Sequence, residues 1–340
     1  MARATLIDDN SDVDEVEEVP LSQQPEWADV TPLEQQDGGY PLCPIAYTDS
    51  YKELMGYMRA VMAAGEISKR AYSLTSQVIE ENPAHYTVWV YRKRLVTELS
   101  LDIEAELNWL SDIAAMHPKN YQPWHHRQVL VAMLLEPQQL DETHPVIRRE
   151  LSFLANAIDE DSKNFHAWSY RQWLVQRYDL WTQEESFVDA MINQDVRNNS
   201  AWNQRYFVLV RSNRDSKVDE QKVRDEIEYS LEMIKRAPNN ESPWSYIVGM
   251  LLRHAPEMLH AELLPRIQRM AEEGDTAQAM QASSFYWSAL VDIYETQAML
   301  QENVREEMIT LARETCAVLA SDHDPTRMKY WEFRGSTLKA

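Results

Sequence analysis

Seven tryptophans recur along this 340-residue chain, separated by 34 to 44 residues: Trp89, Trp124, Trp168, Trp202, Trp244, Trp287 and Trp331. Arginine follows three residues later in five repeats: Arg92, Arg127, Arg171, Arg205 and Arg334. Ile247 and Leu290 take that place in the other two. Asparagine stands four residues before the tryptophan in four repeats: Asn120, Asn164, Asn198 and Asn240. Such a period is typical of stacked supersecondary units and predicts a repeat architecture instead of one globular core.

Each repeat has the pattern of a helix, a short loop and a second helix. Leu107, Leu110 and Ile113 fall on one helical face before the repeat of Trp124. The asparagine suits the N-cap of the second helix, which the tryptophan then opens. Tryptophan and arginine three residues apart share a helix face, so we expect the indole to pack between layers. The guanidinium can bond loop carbonyls or carboxylates of a neighbouring repeat. The predicted fold is an all-α, alpha-alpha superhelix, a crescent-shaped solenoid of about seven helical hairpins.

The first 45 residues differ from the rest. They begin with a block of carboxylates that has few apolar neighbours, a composition that does not offset the entropy of ordering. Several prolines then keep the chain extended, and Trp27 is expected to anchor this arm against the body. We therefore expect two parts, an acidic and largely disordered N-terminal arm at 1–45 and a helical repeat domain at 46–340.

Composition restricts the class of function. The formal net charge of −22 argues against nucleic-acid binding, because a phosphate backbone requires positive patches. It favours either basic partners or simply solubility. No apolar run reaches the length of a membrane span, and the opening residues MARATLIDDN lack the apolar core of a signal peptide. With two distant cysteines, Cys43 and Cys316, a reduced cytoplasmic location is expected.

The sequence shows no complete active site. It contains neither a Gly-rich phosphate loop nor a nucleophile elbow. Its nine histidines never combine with Cys, Asp or Glu at zinc-binding spacing. We therefore expect no metal site in this chain, and any role in catalysis to be part of a shared site.

Several stretches carry a family resemblance: KNYQPWHHR from Lys119, KNFHAW from Lys163, DVRNNSAWNQR from Asp195, YTVW from Tyr86 and EWAD from Glu26. They resemble the prenyltransferase alpha-subunit repeat, in particular the alpha subunits shared by protein farnesyltransferase and type I protein geranylgeranyltransferase. The resemblance covers about residues 25 to 335. It implies a crescent of hairpins around a beta subunit, either the farnesyltransferase or the geranylgeranyltransferase type I form.

The resemblance also implies a reaction. The beta subunit would hold the catalytic zinc, with magnesium serving the farnesyl reaction. The thiolate of a C-terminal CAAX cysteine, as in Ras-like GTPases, would attack the first carbon of a prenyl diphosphate. Zinc lowers the pKa of the thiol, and the departing diphosphate needs positive charge around it.

Six residues match family positions with a role in this reaction. Lys119 matches the lysine that reaches the diphosphate, which makes it the catalytic candidate. Gln122 matches the glutamine that bonds the carboxylate of the CAAX peptide. The other substrate-binding candidates match residues around the opening of the active site: Tyr86, Tyr121, Asn164 and His166. Phe165 departs from the family pattern, in which tyrosine is common.

Position within the repeat gives a second view of Lys119. Lys119, Lys163 and Arg197 each stand five residues before a tryptophan, and loops on one side of a solenoid line up. They could form a row of cations, or each could stabilise the C-terminus of the preceding helix. The resemblance favours a functional role for Lys119, whereas Lys163 and Arg197 keep the helix-end interpretation.

Two other functions stay open at this point. One is a Rab-type geranylgeranyltransferase alpha subunit, which has related repeats and needs an escort protein. The other is a non-catalytic, tetratricopeptide-like scaffold that binds peptides. The Trp-x-x-Arg pattern and the uneven spacing count against the fixed 34-residue tetratricopeptide period.

Overall fold

A computed structural model of the chain describes residues 19–36, 38–39, 42–135, 143–212 and 218–339. All regular structure in these ranges is helical, which confirms the predicted all-α fold of helical hairpins. Among the same residues, no helix is long and apolar enough to cross a membrane. The chain divides into two compact units, Met1–Glu136 and Pro137–Ala340.

The described residues of the first unit form five α-helices, of which the last four pair as two hairpins. Their bounds are α1 Asp49–Ala64, α2 Lys69–Glu81, α3 Tyr86–Glu98, α4 Ile103–Met116 and α5 Tyr121–Leu134. Helix α2 packs on α3, and α4 packs on α5. Trp89 and Trp124 lie in the first turns of α3 and α5.

The described residues of the second unit form five more hairpins. Its helices are α6 Pro145–Glu160, α7 Phe165–Tyr178, α8 Glu184–Gln194, α9 Asn199–Ser212, α10 Glu220–Arg236, α11 Glu241–His254, α12 Leu264–Glu272, α13 Ala277–Ala282, α14 Ser284–Leu300, α15 Arg305–Val318 and α16 Met328–Thr337. The pairs are α6 with α7, α8 with α9, α10 with α11, α12 and α13 with α14, and α15 with α16. Each repeat tryptophan of this unit lies near the start of a hairpin's second helix, so the predicted number of hairpins is confirmed in the described residues.

Five hairpins share one four-residue loop, at 82–85, 117–120, 161–164, 195–198 and 237–240. In each, the N–H of the fourth loop residue bonds the carbonyl of the first at 3.0 or 3.1 Å, which closes a β-turn. The four repeat asparagines occupy the fourth position and cap the next helix through Oδ1: Asn120, Asn164, Asn198 and Asn240. The N-cap prediction is therefore confirmed.

The tryptophans pack as expected and also form a hydrogen bond that the sequence did not reveal. Six indole N–H groups donate to a carbonyl six residues earlier, at Pro83, Pro118, Ser162, Val196, Pro238 and Gln281. Trp331 instead donates to Asp324 Oδ2 at 2.7 Å. Apart from the half-buried Trp287, the repeat tryptophans are buried. Each indole thus ties its helix to the loop that precedes it.

Three of the five repeat arginines bond a carboxylate of the following hairpin, which confirms one of the two expected kinds of partner. Arg334 instead bonds Asp292 and Glu295 of the preceding hairpin, and Arg127 Nη1 donates to Leu107 O and Ser111 Oγ of its own hairpin. Arg171 forms two bonds to Glu184, both 2.8 Å, and the glutamate is 2% exposed. Arg92 with Glu106 and Arg205 with Glu226 repeat this geometry at 2.6 to 2.9 Å. Two charges taken out of water are stable only when paired and hydrogen-bonded, as they are here.

These three glutamates, and the buried Glu150, also bond a residue of their own hairpin, two positions after its tryptophan. The pairs are His126 with Glu106, Tyr170 with Glu150, Gln204 with Glu184 and Tyr246 with Glu226, at 2.7 to 3.1 Å. Glu106, Glu184 and Glu226 therefore each join the second helices of two successive hairpins. This places structural charge, and not only apolar packing, between the repeats.

The Glu106 network makes stability depend on pH. Burial alone would raise the pKa of Glu106, but hydrogen bonds from His126, Arg92 and Tyr72 together with the Arg92 charge lower it to about 2. A depressed carboxylate pKa stabilises the fold above the ordinary value of 4.5, and this contribution is lost as pH falls towards 2. We expect the stability advantage of the native chain over Glu106→Gln to be on the order of 3 kcal/mol at neutral pH and to shrink below pH 4.5.

Denaturant unfolding at several pH values checks this expectation. The advantage should be nearly constant between pH 6.5 and 8, where the Glu106 carboxylate is ionised and His126, whose pKa burial lowers, is neutral in the folded chain. If the difference in unfolding free energy between the native chain and Glu106→Gln stays constant down to pH 3, then Glu106 is not held ionised by its neighbours.

The predicted anchoring of the arm by Trp27 agrees with the structure. Trp27 is 3% exposed, its ring lies edge-on to Tyr57 at 5.4 Å, and the Arg70 guanidinium lies 5.2 Å from its ring centre. Arg70 also forms two bonds to Asp29, at 2.7 and 3.0 Å. Residues 1–18, with the acidic block, lie outside the described residues.

Candidate functional site

Lys119 is the third residue of the four-residue loop between α4 and α5. The turn bond from Asn120 N to His117 O spans it at 3.0 Å, and its side chain is exposed. Lys163 and Arg197 hold the same third position in the next two loops and are also exposed. The fold therefore presents a cation at one defined place in three successive loops.

Lys119 has no carboxylate within six residues in the sequence, whereas Lys163 and Arg197 each follow an aspartate by two residues, Asp161 and Asp195. In a chain with 55 acidic residues, the segments 113–135, 162–178 and 196–214 contain none. Each covers at least the last three residues of a loop and the whole second helix of its hairpin, so the acidic residues of these hairpins lie mainly on the first helices. Despite the net charge of −22, Lys119 therefore stands in a segment without carboxylates, which lowers the local repulsion of an anion.

Aromatic rings occupy the first position of three successive second helices. Tyr86 begins α3 and is 69% exposed, Tyr121 begins α5 and is 66% exposed, and Phe165 begins α7 and is 65% exposed. The next two hairpins carry Asn199 and Glu241 at this position. Large rings left in water mark interaction surfaces, so this position is a candidate for contact with a ligand or partner.

Gln122 is the second residue of α5 and is half-buried. Its backbone N–H bonds Asn120 Oδ1 at 2.9 Å, which fixes the first turn of the helix beside Tyr121. Pro123 follows in that first turn, where a missing N–H costs no helical hydrogen bond. Lys119, Tyr121 and Gln122 thus lie on one short segment whose backbone is set by the cap.

Asn164 has a structural position. It is 1% exposed, and its Oδ1 accepts the N–H groups of His166 and Ala167 at 2.9 and 3.3 Å. The equivalent caps Asn198 and Asn240 also donate Nδ2 to the loop carbonyl of the preceding hairpin that binds the tryptophan indole. The asparagine at this position caps the second helix, and in Asn198 and Asn240 it also bonds the loop of the preceding hairpin.

His166 is the second residue of α7 and is 8% exposed. Its ring lies edge-on to Phe165, with ring centres 5.6 Å apart. Asn164 therefore fixes the backbone of His166, and the exposed Phe165 ring packs against the imidazole. The three residues form one local unit at the start of α7.

The described residues do not offer a metal site. Among them, no group of three or more His, Cys, Asp or Glu side chains could hold a metal ion.

Sequence reasoning missed two features of this region. The buried glutamates Glu106, Glu150, Glu184 and Glu226 each stand 18 residues before a tryptophan, a constant distance in repeats of unequal length. The acid-free segments were equally readable. The constant distance from glutamate to tryptophan and the segments without acidic residues are both visible in the sequence.

Comparison with known proteins places these features in a family. The family described as "Protein prenyltransferase alpha subunit repeat" matches residues 68–99, 103–134, 147–178, 181–212 and 223–254. These five matches coincide with the five hairpins that share the four-residue loop. The "Protein farnesyltransferase/geranylgeranyltransferase type-1 subunit alpha" of Dictyostelium discoideum is 35% identical over 94% of this chain and 94% of its own.

A solved structure gives the same result. A chain of the structure described as "Candida albicans protein geranylgeranyltransferase-I complexed with GGPP" superimposes with a TM-score of 0.77 and 30% identity. The match covers 92% of this chain and 98% of that one. The "Geranylgeranyl transferase type-2 subunit alpha" of Bos taurus is 31% identical over 29% of this chain and 18% of its own. The full-length likeness is thus to the type I proteins.

Proposed function

The chain belongs to the family of protein farnesyltransferase/geranylgeranyltransferase type I alpha subunits, and we propose that it acts with a beta subunit as a CAAX prenyltransferase. The complex would transfer a farnesyl or geranylgeranyl group from its diphosphate to the cysteine thiol of a C-terminal CAAX motif, in the cytoplasm. The observation that carries this proposal is a likeness over 94% of both chains to a protein of that name.

Lys119 is proposed to act on the leaving group. Attack of the cysteine sulfur on the first prenyl carbon breaks a carbon–oxygen bond and leaves the electron pair on the diphosphate. An ammonium group near that oxygen interacts more strongly with the transition state than with the bound donor. The exposed position of Lys119 in an acid-free segment supports this role.

The metals are assigned to the second subunit. Zinc bound there would favour the thiolate of the substrate cysteine, and magnesium would serve the farnesyl reaction. The described residues of this chain would instead bind and orient the two substrates. This division fits a chain that has a cation and exposed rings at its loops.

The remaining candidates are proposed to line the opening for substrate. Tyr86 and Tyr121 offer exposed rings to the peptide and the prenyl donor, and Gln122 has an amide suited to the peptide carboxylate. His166 lies beside Phe165 at the start of α7. For Asn164 we propose a positioning role, because its carboxamide oxygen is already bonded to the backbone of α7.

Paired substitutions test the role of Asn164. Asn164→Ala and Asn198→Ala remove the same type of cap, so each should lower the free energy of unfolding by about 1–2 kcal/mol. If Asn164 acts only through α7, the KM for a CAAX peptide should change less than threefold in both variants. A large rise in peptide KM in Asn164→Ala alone would instead assign it a direct contact with substrate.

Assembly tests the proposal at the level of the whole protein. The exposed apolar side chains at the starts of α3, α5 and α7 are expected to be covered, and obligate interfaces of this kind bury more than about 2,000 Å². Co-expressed with a beta-type subunit, the chain should purify as a 1:1 complex and melt at a higher temperature than alone. A monodisperse monomer whose melting temperature does not rise with that subunit would contradict the proposal.

A further inference from the structure

A groove separate from the candidate site lies in the first unit, between the N-terminal arm and α1. It encloses a cavity of about 1000 Å³. Its walls come from the arm at 19–24 and 32–35, from 45–47, from the first half of α1 and from the end of α2. We call this cavity the arm groove. None of the six candidate site residues lines it.

Specific contacts hold the walls of the arm groove in place. Leu33 N donates to Gly56 O at 3.0 Å, and Arg59 Nε donates to Leu33 O at 2.8 Å. Ser22 N donates to Glu53 Oε1 at 2.9 Å. A Cβ at Gly56 would stand 3.0 Å from the Cβ of Pro32, so glycine permits this close approach of arm and helix. The groove is therefore a preformed feature of the unit.

Apolar side chains face the groove and remain in water. Val19 is 56% exposed, Leu33 is 44% exposed and Ile45 is 68% exposed, and all three line the cavity. A buried tryptophan, Trp27, and the two-bond ion pair between Arg70 and Asp29 attach the arm to the rest of the unit. The three apolar side chains nevertheless remain exposed. Apolar side chains that gather around a concave surface mark a binding site.

The residues that line the arm groove carry a net negative charge, which favours a cationic ligand. Among the described lining residues, five are carboxylates and two are cations, Lys52 and Arg59. Lys52 lies 3.2 Å from Asp49, and Arg59 is bonded to the Leu33 carbonyl. The exposed carboxylates of Glu34, Glu80 and Glu81 remain around the opening. The groove thus combines apolar walls with a negative rim.

We propose that the arm groove binds an extended segment of a partner protein in which an apolar side chain is flanked by lysine or arginine. The apolar side chain would contact Leu33 and Ile45, and the flanking cations would meet the glutamates of the rim. A second copy of this chain, with a net charge of −22, would be repelled, and so would the carboxylate-rich residues 8–18. A cationic partner segment is the occupant that the charges favour.

A native cysteine provides a local reporter. Cys43 is exposed and stands two residues before Ile45, whereas Cys316 is buried. The full chain, purified with its beta subunit, can be labelled at Cys43 with an environment-sensitive fluorophore. Three hexapeptides serve as probes: KKLIKK, KKSSKK and EELIEE. We expect KKLIKK to bind with a dissociation constant at least tenfold lower than either comparison peptide, because only it satisfies both the apolar walls and the rim.

Charge reversal separates the groove from general attraction to an acidic protein. Glu80→Lys with Glu81→Lys should weaken KKLIKK about tenfold, and Leu33→Ser should do the same. Glu306→Lys with Glu307→Lys, two exposed carboxylates on α15, is the matched control and should leave binding unchanged.

Three results would overturn the proposal. Equal weakening of KKLIKK binding by both charge reversals would mean that the peptide is held by non-specific electrostatic attraction. Equal affinity for KKSSKK and KKLIKK would mean that the apolar walls do not contribute to binding. Failure of KKLIKK to bind the complex, with the Cys43 label already shielded, would mean that the beta subunit covers the groove. Because the readout is binding at the arm, each result is independent of whether the complex transfers a prenyl group.

Discussion

Lys119→Ala is expected to lower the single-turnover rate of prenyl transfer about 100-fold, equivalent to about 2.7 kcal/mol of transition-state stabilisation. Charge grows on the diphosphate as its bond to carbon breaks, so the lysine contributes more in the transition state than in the bound donor complex. The affinity for prenyl diphosphate should therefore change much less than the rate. Rapid-quench measurement of one turnover, beside equilibrium binding of the donor, separates the two effects.

Two variants serve as controls for this prediction. Lys163 holds the same loop position one hairpin further on, and Lys163→Ala should leave the single-turnover rate nearly unchanged. Gln122→Ala should weaken binding of the CAAX peptide while the chemical rate stays close to normal. A normal chemical rate in Lys119→Ala would reduce the lysine to a residue at a helix end, and this chain's part in catalysis to scaffolding.

Trp168→Ala is expected to lower the free energy of unfolding of the complex by about 3–5 kcal/mol. The indole is 6% exposed, lies against Phe187 with ring centres 6.1 Å apart, and donates to Ser162 O at 2.9 Å. The substitution leaves a cavity and removes one of the two donors that reach this loop carbonyl; Asn198 Nδ2 is the other. Denaturant unfolding of the complex measures the loss.

Trp181→Ala provides the comparison, because Trp181 lies outside the repeat positions and is half-buried. Its loss of stability should be less than half that of Trp168→Ala. In Trp168→Ala, the preference between CAAX peptides should stay the same in whatever complex still assembles. Equal losses in the two variants, or a changed peptide preference in Trp168→Ala, would contradict the packing role.

The repeats determine the fold directly, and that part could be predicted from sequence. Trp124 and Trp168 locate the second helices of their hairpins, and Asn120 and Asn164 locate the caps that start them. These signals are local, because an N-cap bonds an N–H two or three residues away. The interval between tryptophans carries less information, since loops between hairpins accept insertions at little energetic cost.

The partners of the buried charges were harder to predict. Arg205 was expected to bond a loop carbonyl or a neighbouring carboxylate, and the structure shows Glu226, 21 residues later, with Asp189 as a second partner. A buried glutamate gives no apolar signal, and its partners come from two different hairpins. Only the constant 18-residue distance from Glu226 to Trp244 could have identified it in advance.

The candidate site shows the same division between local and tertiary information. Family likeness suggests a contact of Asn164 with substrate, whereas the structure shows a buried side chain whose Oδ1 accepts the N–H groups of His166 and Ala167 at the start of α7. The net charge of the chain did not predict the surroundings of Lys119, because a single total does not show that the segment around this lysine has no acidic residues. Which side of a repeat carries the acids depends on how the hairpins pack, and the total does not report it.

Reconstitution of activity is the most direct test of the proposed function. The chain is co-expressed with farnesyltransferase-type and geranylgeranyltransferase I-type beta subunits, and each purified complex is assayed with both prenyl diphosphates and a CAAX peptide. We expect a thioether product only when both subunits are present, and none with a peptide in which the CAAX cysteine is replaced by serine. A stable 1:1 complex that transfers neither prenyl group to any CAAX peptide would contradict the account.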